Sequence, residues 1–309
     1  MSYENMKSKL AEGGVVILDG GTGTELERRG VDMNPEAWCG VATLEAEETL
    51  VEVHKDYIRA GAEVITANTF ASSRLMLSPA GFADSVDEVN RKAVRAAHKA
   101  CAELGAENVL IAGSLSHMVP IAPETAKPDP ARIPDNTALA DAFGELAQIH
   151  KQEGCDLILM EMMYDPGRME LALAAAGATG LPVWAGLSAR RADDGAVLSF
   201  AAHEDIAYGE IVALASRHKP DAIGTMHTPS NLISDCDAII AQEFDGARMA
   251  YPDSGYFKMP SWQFEDIIPP EEFAAYADEW KTAGVQIIGG CCGLSPKHIQ
   301  ALAPLKSAS

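Results

Sequence analysis

Two adjacent cysteines, Cys291 and Cys292, lie inside the run Gly289-Gly290-Cys291-Cys292-Gly293. In a regular strand neighbouring side chains point to opposite faces, so two consecutive sulfurs do not ordinarily reach one target. Glycines on both sides let the backbone leave strand geometry and turn both thiols the same way. Thiolates are preferred zinc ligands, so the pair reads as part of a metal site rather than as two unrelated packing thiols. A catalytic zinc usually keeps three protein ligands and one open position, so a third donor is required. His227, in Gly224-Thr225-Met226-His227-Thr228-Pro229, follows a strand-like run and is placed for it. His117 is a weaker candidate. His54, His98, His150 and His218 fall within or at the ends of helical segments, and His298 opens a last helix after Ser295-Pro296. Cys39, Cys101, Cys155 and Cys236 lack ligand-like spacing and read as packing residues. Six cysteines without framework spacing do not make a disulfide scaffold.

The elements that must position these groups are short β-rich apolar runs at 15–19, 63–68, 108–113, 157–161, 183–187, 222–226, 248–252 and 286–290. Between them lie stretches with apolar residues three and four apart, at 45–60, 85–104, 137–153, 167–176, 205–217, 230–242 and 270–283. In the first of these Leu50, Val53, Tyr57 and Ile58 share a face. Eight strand–helix alternations predict an α/β fold with a parallel sheet, and eight is the number that closes a (β/α)8 TIM barrel, here one domain over 1–309. An open doubly wound sheet is the competitor; length and regular alternation favour the barrel. Such barrels gather their chemistry at the C-terminal ends of the strands. There the sequence places Asp19 and Gly20 after strand one, Asn68 and Thr69 after strand two, Ser114 after three and Glu161 after four. Ser188, His227, Asp253 and the cysteine pair follow strands five to eight. Pro-rich 120–134 and aromatic-rich 251–269 read as long functional loops on the same rim.

A net charge of −21 disfavours nucleic acid and anionic membrane surfaces as partners. The polar start of the chain has no secretory apolar core, and no run reaches the ~18 apolar residues of a membrane span, so a cytoplasmic protein is expected. With 47% hydrophobic residues there is material for a full core. Oligomeric state is not readable.

The run from Val15 to Leu26, with Asp19-Gly20-Gly21-Thr22-Gly23-Thr24-Glu25 inside it, is similar to the opening motif of the homocysteine S-methyltransferase family. Thr66-Ala67-Asn68-Thr69-Phe70 resembles the second-strand motif. Gly289-Gly290-Cys291-Cys292-Gly293 with Pro296 and His298-Ile299 resembles the closing one. The resemblance covers about 10–303. It implies a (β/α)8 barrel whose Zn2+ binds a substrate thiol that is methylated there, homocysteine giving methionine. It also implies that Asp19 and Glu161 hold the amino acid, Glu161 at its ammonium group, with Gly20, Asn68, Thr69 and Asp253 in the same substrate site. The chain has no room for the cobalamin domains of folate-using members. Where the betaine branch carries aromatics this sequence has Ala71 and Met162, which argues against a quaternary ammonium cage and for a sulfonium donor such as S-methylmethionine.

The chain also departs from that pattern. The usual third cysteine and the Asn before it are His227 and Met226, Asp253 stands where Asn is common, and the turn after strand three reads Ser114-Leu115-Ser116-His117-Met118. Two thiolates and a neutral imidazole around Zn2+ sum to zero, against −1 for three thiolates. A neutral set is expected to deprotonate a bound thiol more fully and leave its sulfur less nucleophilic. A different small thiol or selenol as acceptor, and a non-catalytic zinc- or amino-acid-binding barrel, are the competing readings.

Overall fold

The computed structural model describes residues 2–122, 127–201 and 203–307. Eight parallel strands run in chain order: β1 Val16–Ile17, β2 Val64–Thr66, β3 Leu110–Ser116, β4 Leu157–Met163, β5 Val183–Leu187, β6 Ala222–Pro229, β7 Ala247–Asp253 and β8 Ile287–Ile288. Each pairs with its sequence neighbour, β8 pairs with β1, and a Leu18–Val64 bridge joins β1 to β2. The sheet therefore closes on itself as a (β/α)8 barrel. The strands are short and almost wholly buried because helices cover the outer face and side chains fill the interior.

Period-two alternation decides which residue faces where. Val16, Leu18, Val64, Leu110, Ala112, Leu157, Leu159, Trp184 and Ala222 pack together inside the barrel. Their chain neighbours Ile17, Ile65, Ile111, Ile158, Ala185 and Ile223 pack outward against the helices. Helices follow the strands at Glu47–Ala60, Val86–Leu104, Asn136–Gln152, Pro166–Gly177, Tyr208–Arg217, Ile233–Glu243 and Pro270–Thr282. These agree closely with the periodic stretches of the sequence.

Three features escape that periodicity. Helix Tyr3–Ala11 plugs the lower end of the barrel, burying Met6 completely and accepting a 3.1 Å hydrogen bond from Trp184 Nε1 on Tyr3 Oη. An antiparallel ribbon, Ala189–Arg191 with Val197–Ser199, follows β5. A second ribbon, Tyr256–Lys258 with Ser261–Gln263, gives structure to the expected loop at 251–269. Of the expected loop at 120–134, positions 123–126 lie outside the described residues. Among the described residues no helix is long and apolar enough to cross a membrane.

Candidate metal centre and cavity

The strand ends open into a cavity of about 440 Å³. His227, Cys291 and Cys292 meet in its wall, each within 4.8 Å of the others through one potential ligand atom. The two sulfurs are 3.8 Å apart, and Cys291 Sγ is 3.9 Å from His227 Nδ1. Sulfur and nitrogen bound to a tetrahedral zinc at about 2.3 and 2.0 Å stand roughly 3.5–3.8 Å from each other, so this donor set fits the metal.

The backbone accounts for the convergence. β8 ends at Ile288, and the segment after it is tied to both neighbours: Cys291 N donates to Pro252 O (2.7 Å), Ser254 N to Cys292 O (2.9 Å) and Gly290 N to Asp19 O (2.9 Å). Gly293 has φ +80°, a left-handed turn, and a Cβ there would stand 1.9 Å from Ser254 O. Only glycine closes the turn that brings the second sulfur round.

His227 reaches the cavity by a different route. Ala222, Gly224 and Met226 alternate on one face of β6, which would send His227 outward. The pairing with β7 loses register between Met226 and Pro229, and His227 takes φ +43°. This irregularity turns the ring inward, where Phe200 and Trp262 flank it edge-on, both at 5.7 Å between centroids. β4 is interrupted in the same way: Met162 has φ +52°, and its N–H donates to Met226 Sδ at 3.1 Å. His117, the weaker candidate, is not in the cluster; its Nε2 accepts the backbone N–H groups of Tyr164 (3.0 Å) and Asp165 (3.1 Å).

The carboxylates of the rim are buried. Asp19 takes hydrogen bonds from Thr66 N (2.6 Å) and Thr66 Oγ1 (2.8 Å). Burial outweighs these bonds and, with Glu161 nearby, lifts Asp19 to about 7. Glu161 accepts a bond from Ser114 Oγ and is itself lifted to about 7 by burial, against the pull of Ser114 and His227. Burial works against a charge on His227, yet Asp253, at 3.5 Å, and Cys291 raise the imidazole to about 9.

Asp19, Gly20, Asn68, Glu161, Asp253, His227 and both cysteines all line the cavity. Thr69 does not. Its hydroxyl donates to Ser114 O (2.8 Å) and meets His150 Nε2 (3.1 Å) inside the barrel wall. Strand alternation explains the difference, since Val64, Thr66 and Asn68 share the inner face and Thr69 falls on the other. Asn68 spends its amide nitrogen on Cys39 O (3.0 Å), fixing the loop that carries Trp38. Gly20 is dictated by packing: a Cβ there would stand 2.5 Å from Leu294 O.

The sequence reading missed much of the lining. Trp38, Phe70, Phe200, Phe257 and Trp262 contribute rings, with Trp38 edge-on to Phe70 (6.3 Å) and to Phe257 (6.4 Å). The aromatic enclosure judged absent from positions 71 and 162 is present, built from other loops. Cys39, read as packing, also lines the cavity. Thr22, Trp38 and Tyr251 line it too, though their Oγ1, Nε1 and Oη atoms are closed off from solvent and have no hydrogen-bond partner among the described residues.

The sequence pattern of the homocysteine S-methyltransferase family matches residues 16–305. The chain is similar to a selenocysteine Se-methyltransferase of Brassica oleracea var. italica, 26% identical over 97% of this chain and 92% of the relative. It is also similar to homocysteine S-methyltransferase 2 of Arabidopsis thaliana, at 24% over 97% and 96%. In fold it resembles the metallated form of the homocysteine methyltransferase MmuM from Escherichia coli, with a TM-score of 0.76, 22% identity, and coverage of 97% and 99%. The pattern matched between 16 and 305 begins with the strand that leads into Asp19 and ends beyond the cysteine pair, and the chain belongs to this family of methyltransferases.

Proposed function

We propose that this chain transfers a methyl group from a sulfonium donor, S-methylmethionine or a close analogue, to the thiol of homocysteine, giving methionine, with zinc held by His227, Cys291 and Cys292. The observation that carries the reading is the convergence of three N/S donors and two buried carboxylates on one cavity. Zinc bound there supplies Lewis acidity that favours the thiolate form of the acceptor.

The protein's own groups do the rest. Asp19 and Glu161, both lifted by burial, gain a compensating charge when an amino acid's ammonium group enters between them. The donor is a cation. Asp19, Glu36, Glu161 and Asp253 line the cavity and, among the described residues, no Lys or Arg does. Rings from Trp38, Phe70, Phe257 and Trp262 add the faces an onium methyl group favours. In the transfer the acceptor's lone pair forms the new bond to methyl carbon as the carbon–sulfonium bond breaks. Its electron pair stays on the donor, which leaves as a neutral thioether.

The aromatic lining favours a second donor class, a quaternary ammonium such as glycine betaine. The Brassica relative's name brings a second acceptor, selenocysteine, into the comparison. Methyl transfer measured for both acceptors against both donors, on protein of known zinc content, separates these readings. Fastest turnover with homocysteine and S-methylmethionine is the expected result. No transfer to either acceptor by protein carrying one equivalent of zinc would overturn the proposal.

A further inference from the structure

Three of the cavity's carboxylates lie deep. Asp19 and Glu161 are buried, and the Asp253 side chain is 15% exposed. Glu36 stands at the mouth instead, with its side chain 41% exposed. The loop that carries it is stiff. Asn34 and Trp38 exchange both backbone hydrogen bonds, N–H to carbonyl at 2.8 Å each way. Asn34 Oδ1 accepts the N–H groups of Glu36 and Ala37, both at 2.9 Å. Trp38 takes φ +43°, and its ring meets Phe70 and Phe257 edge-on. One short turn therefore presents a carboxylate and an aromatic ring to the same cavity, two residues apart. From outside the lining, Arg132 grips one edge of that carboxylate, Nη2 donating to Oε2 at 2.6 Å, while its contact to Oε1 is 3.5 Å long. The pair holds the side chain and leaves Oε1 with capacity to accept from a cation in the cavity.

We propose that Glu36 selects the methyl donor, accepting an ammonium group that the donor carries in addition to its onium centre. The inference rests on the methyl-transfer reading given above and narrows its donor to a sulfonium amino acid. In that reading the acceptor's ammonium is held by the deep pair, Asp19 and Glu161, which leaves Glu36 for the other substrate. With the onium methyl groups against Trp38, Phe70 and Phe257, the rest of the donor reaches toward the mouth, where Glu36 stands. Aromatic faces alone do not separate a sulfonium from a quaternary ammonium, because both are cations that rings attract. A carboxylate beside the rings separates them by what each carries at its far end. S-methylmethionine brings an ammonium there and has a net positive charge. Glycine betaine has no second cation and no net charge, and its far end is a carboxylate that Glu36 repels.

Binding and turnover test it separately on the full-length protein. Two sulfonium donors are compared: S-methylmethionine, and dimethylsulfonioacetate, which keeps a sulfonium and a carboxylate but lacks the ammonium. Affinity is read from tryptophan fluorescence, since Trp38 and Trp262 line the cavity, and kcat/KM from methyl transfer to homocysteine by zinc-loaded protein. Wild type is expected to prefer S-methylmethionine in both measurements. E36Q should cut that preference by ~10-fold, between the worth of an exposed ion pair and that of a charge-assisted hydrogen bond. E36A repeats the comparison without an amide oxygen that still accepts. A wild type with no preference, or a fall of less than ~3-fold in both variants, would overturn the proposal. Donor binding with no transfer to homocysteine by zinc-loaded wild type would instead overturn the methyl-transfer reading beneath it.

Discussion

Replacing Asp19 by Asn should make the substrate-free protein more stable and a poorer enzyme. Asp19 is 2% exposed, and burial moves its carboxyl from 3.8 to about 7. Because the folded value lies above the unfolded one, the group's contribution is intact below pH 3.8 and is lost as pH rises through 7. At ~1.4 kcal/mol per tenfold, the raised value costs ~2 kcal/mol at pH 5, where the folded group must keep a proton the unfolded chain releases, and ~4 kcal/mol at pH 8, where the buried group is ionised. Asn keeps the local bonds, its oxygen accepting from Thr66 N and its amide donating to Thr66 Oγ1, where Asp19 now bonds at 2.6 and 2.8 Å. The charge goes and the geometry stays. Urea midpoints at pH 5 and pH 8, read at constant slope, should show D19N gaining over wild type as pH rises. On the proposed function the same change removes a buried partner of the acceptor's ammonium group, so homocysteine binding should weaken by roughly 100-fold. A stability difference independent of pH, or a D19N protein less stable than wild type at pH 8, would refute the reasoning.

Two further outcomes follow from packing. G293A forces a side chain into a φ of +80° with its Cβ 1.9 Å from Ser254 O, so the turn must move; a loss of at least ~2 kcal/mol in urea unfolding and zinc content well below one equivalent are expected. M6A empties a fully buried position inside the barrel, far from the cavity, and should cost ~2–5 kcal/mol by the same assay while leaving zinc content of the folded protein unchanged.

The barrel was legible because its signal repeats. Strands buried on both faces read as apolar runs, amphipathic helices such as Glu47–Ala60 read as stripes, and the rim follows once the strands are numbered. What the sequence hid has physical reasons. Helix Tyr3–Ala11 buries one side chain completely, Met6, in a polar segment, so it carries no stripe to detect. Alternation could have placed Thr69 in the wall, because Val64, Thr66 and Asn68 already claim the inner face; the motif drew attention away from the pleat. The aromatic lining comes from loops around Trp38, Phe200 and the ribbon Tyr256–Lys258, whose meeting depends on tertiary paths rather than local pattern. His227 is the opposite case. A regular β6 would have aimed it outward, and it reaches the cavity only through the irregularity after Met226.

That irregularity and the buried carboxylates express one physical constraint. A regular barrel end delivers inward-facing side chains at every second residue, which is too sparse to bring an imidazole beside two consecutive sulfurs. The chain breaks pleat geometry at Met162, His227 and Gly293 to concentrate donors in one wall. Each left-handed non-glycine residue costs on the order of 1–3 kcal/mol. The surrounding cavity concentrates carboxylates whose ionisation burial opposes, and the D19N prediction measures part of that cost. On the proposed function both penalties fall where positive charge would enter: a metal ion at His227, Cys291 and Cys292, the acceptor's ammonium at Asp19 and Glu161, and an onium donor between the rings. A protein that needed stability alone would place neutral, pleated residues at these positions. The strain and the buried charge gain a physical purpose once three cations share the mouth of one barrel.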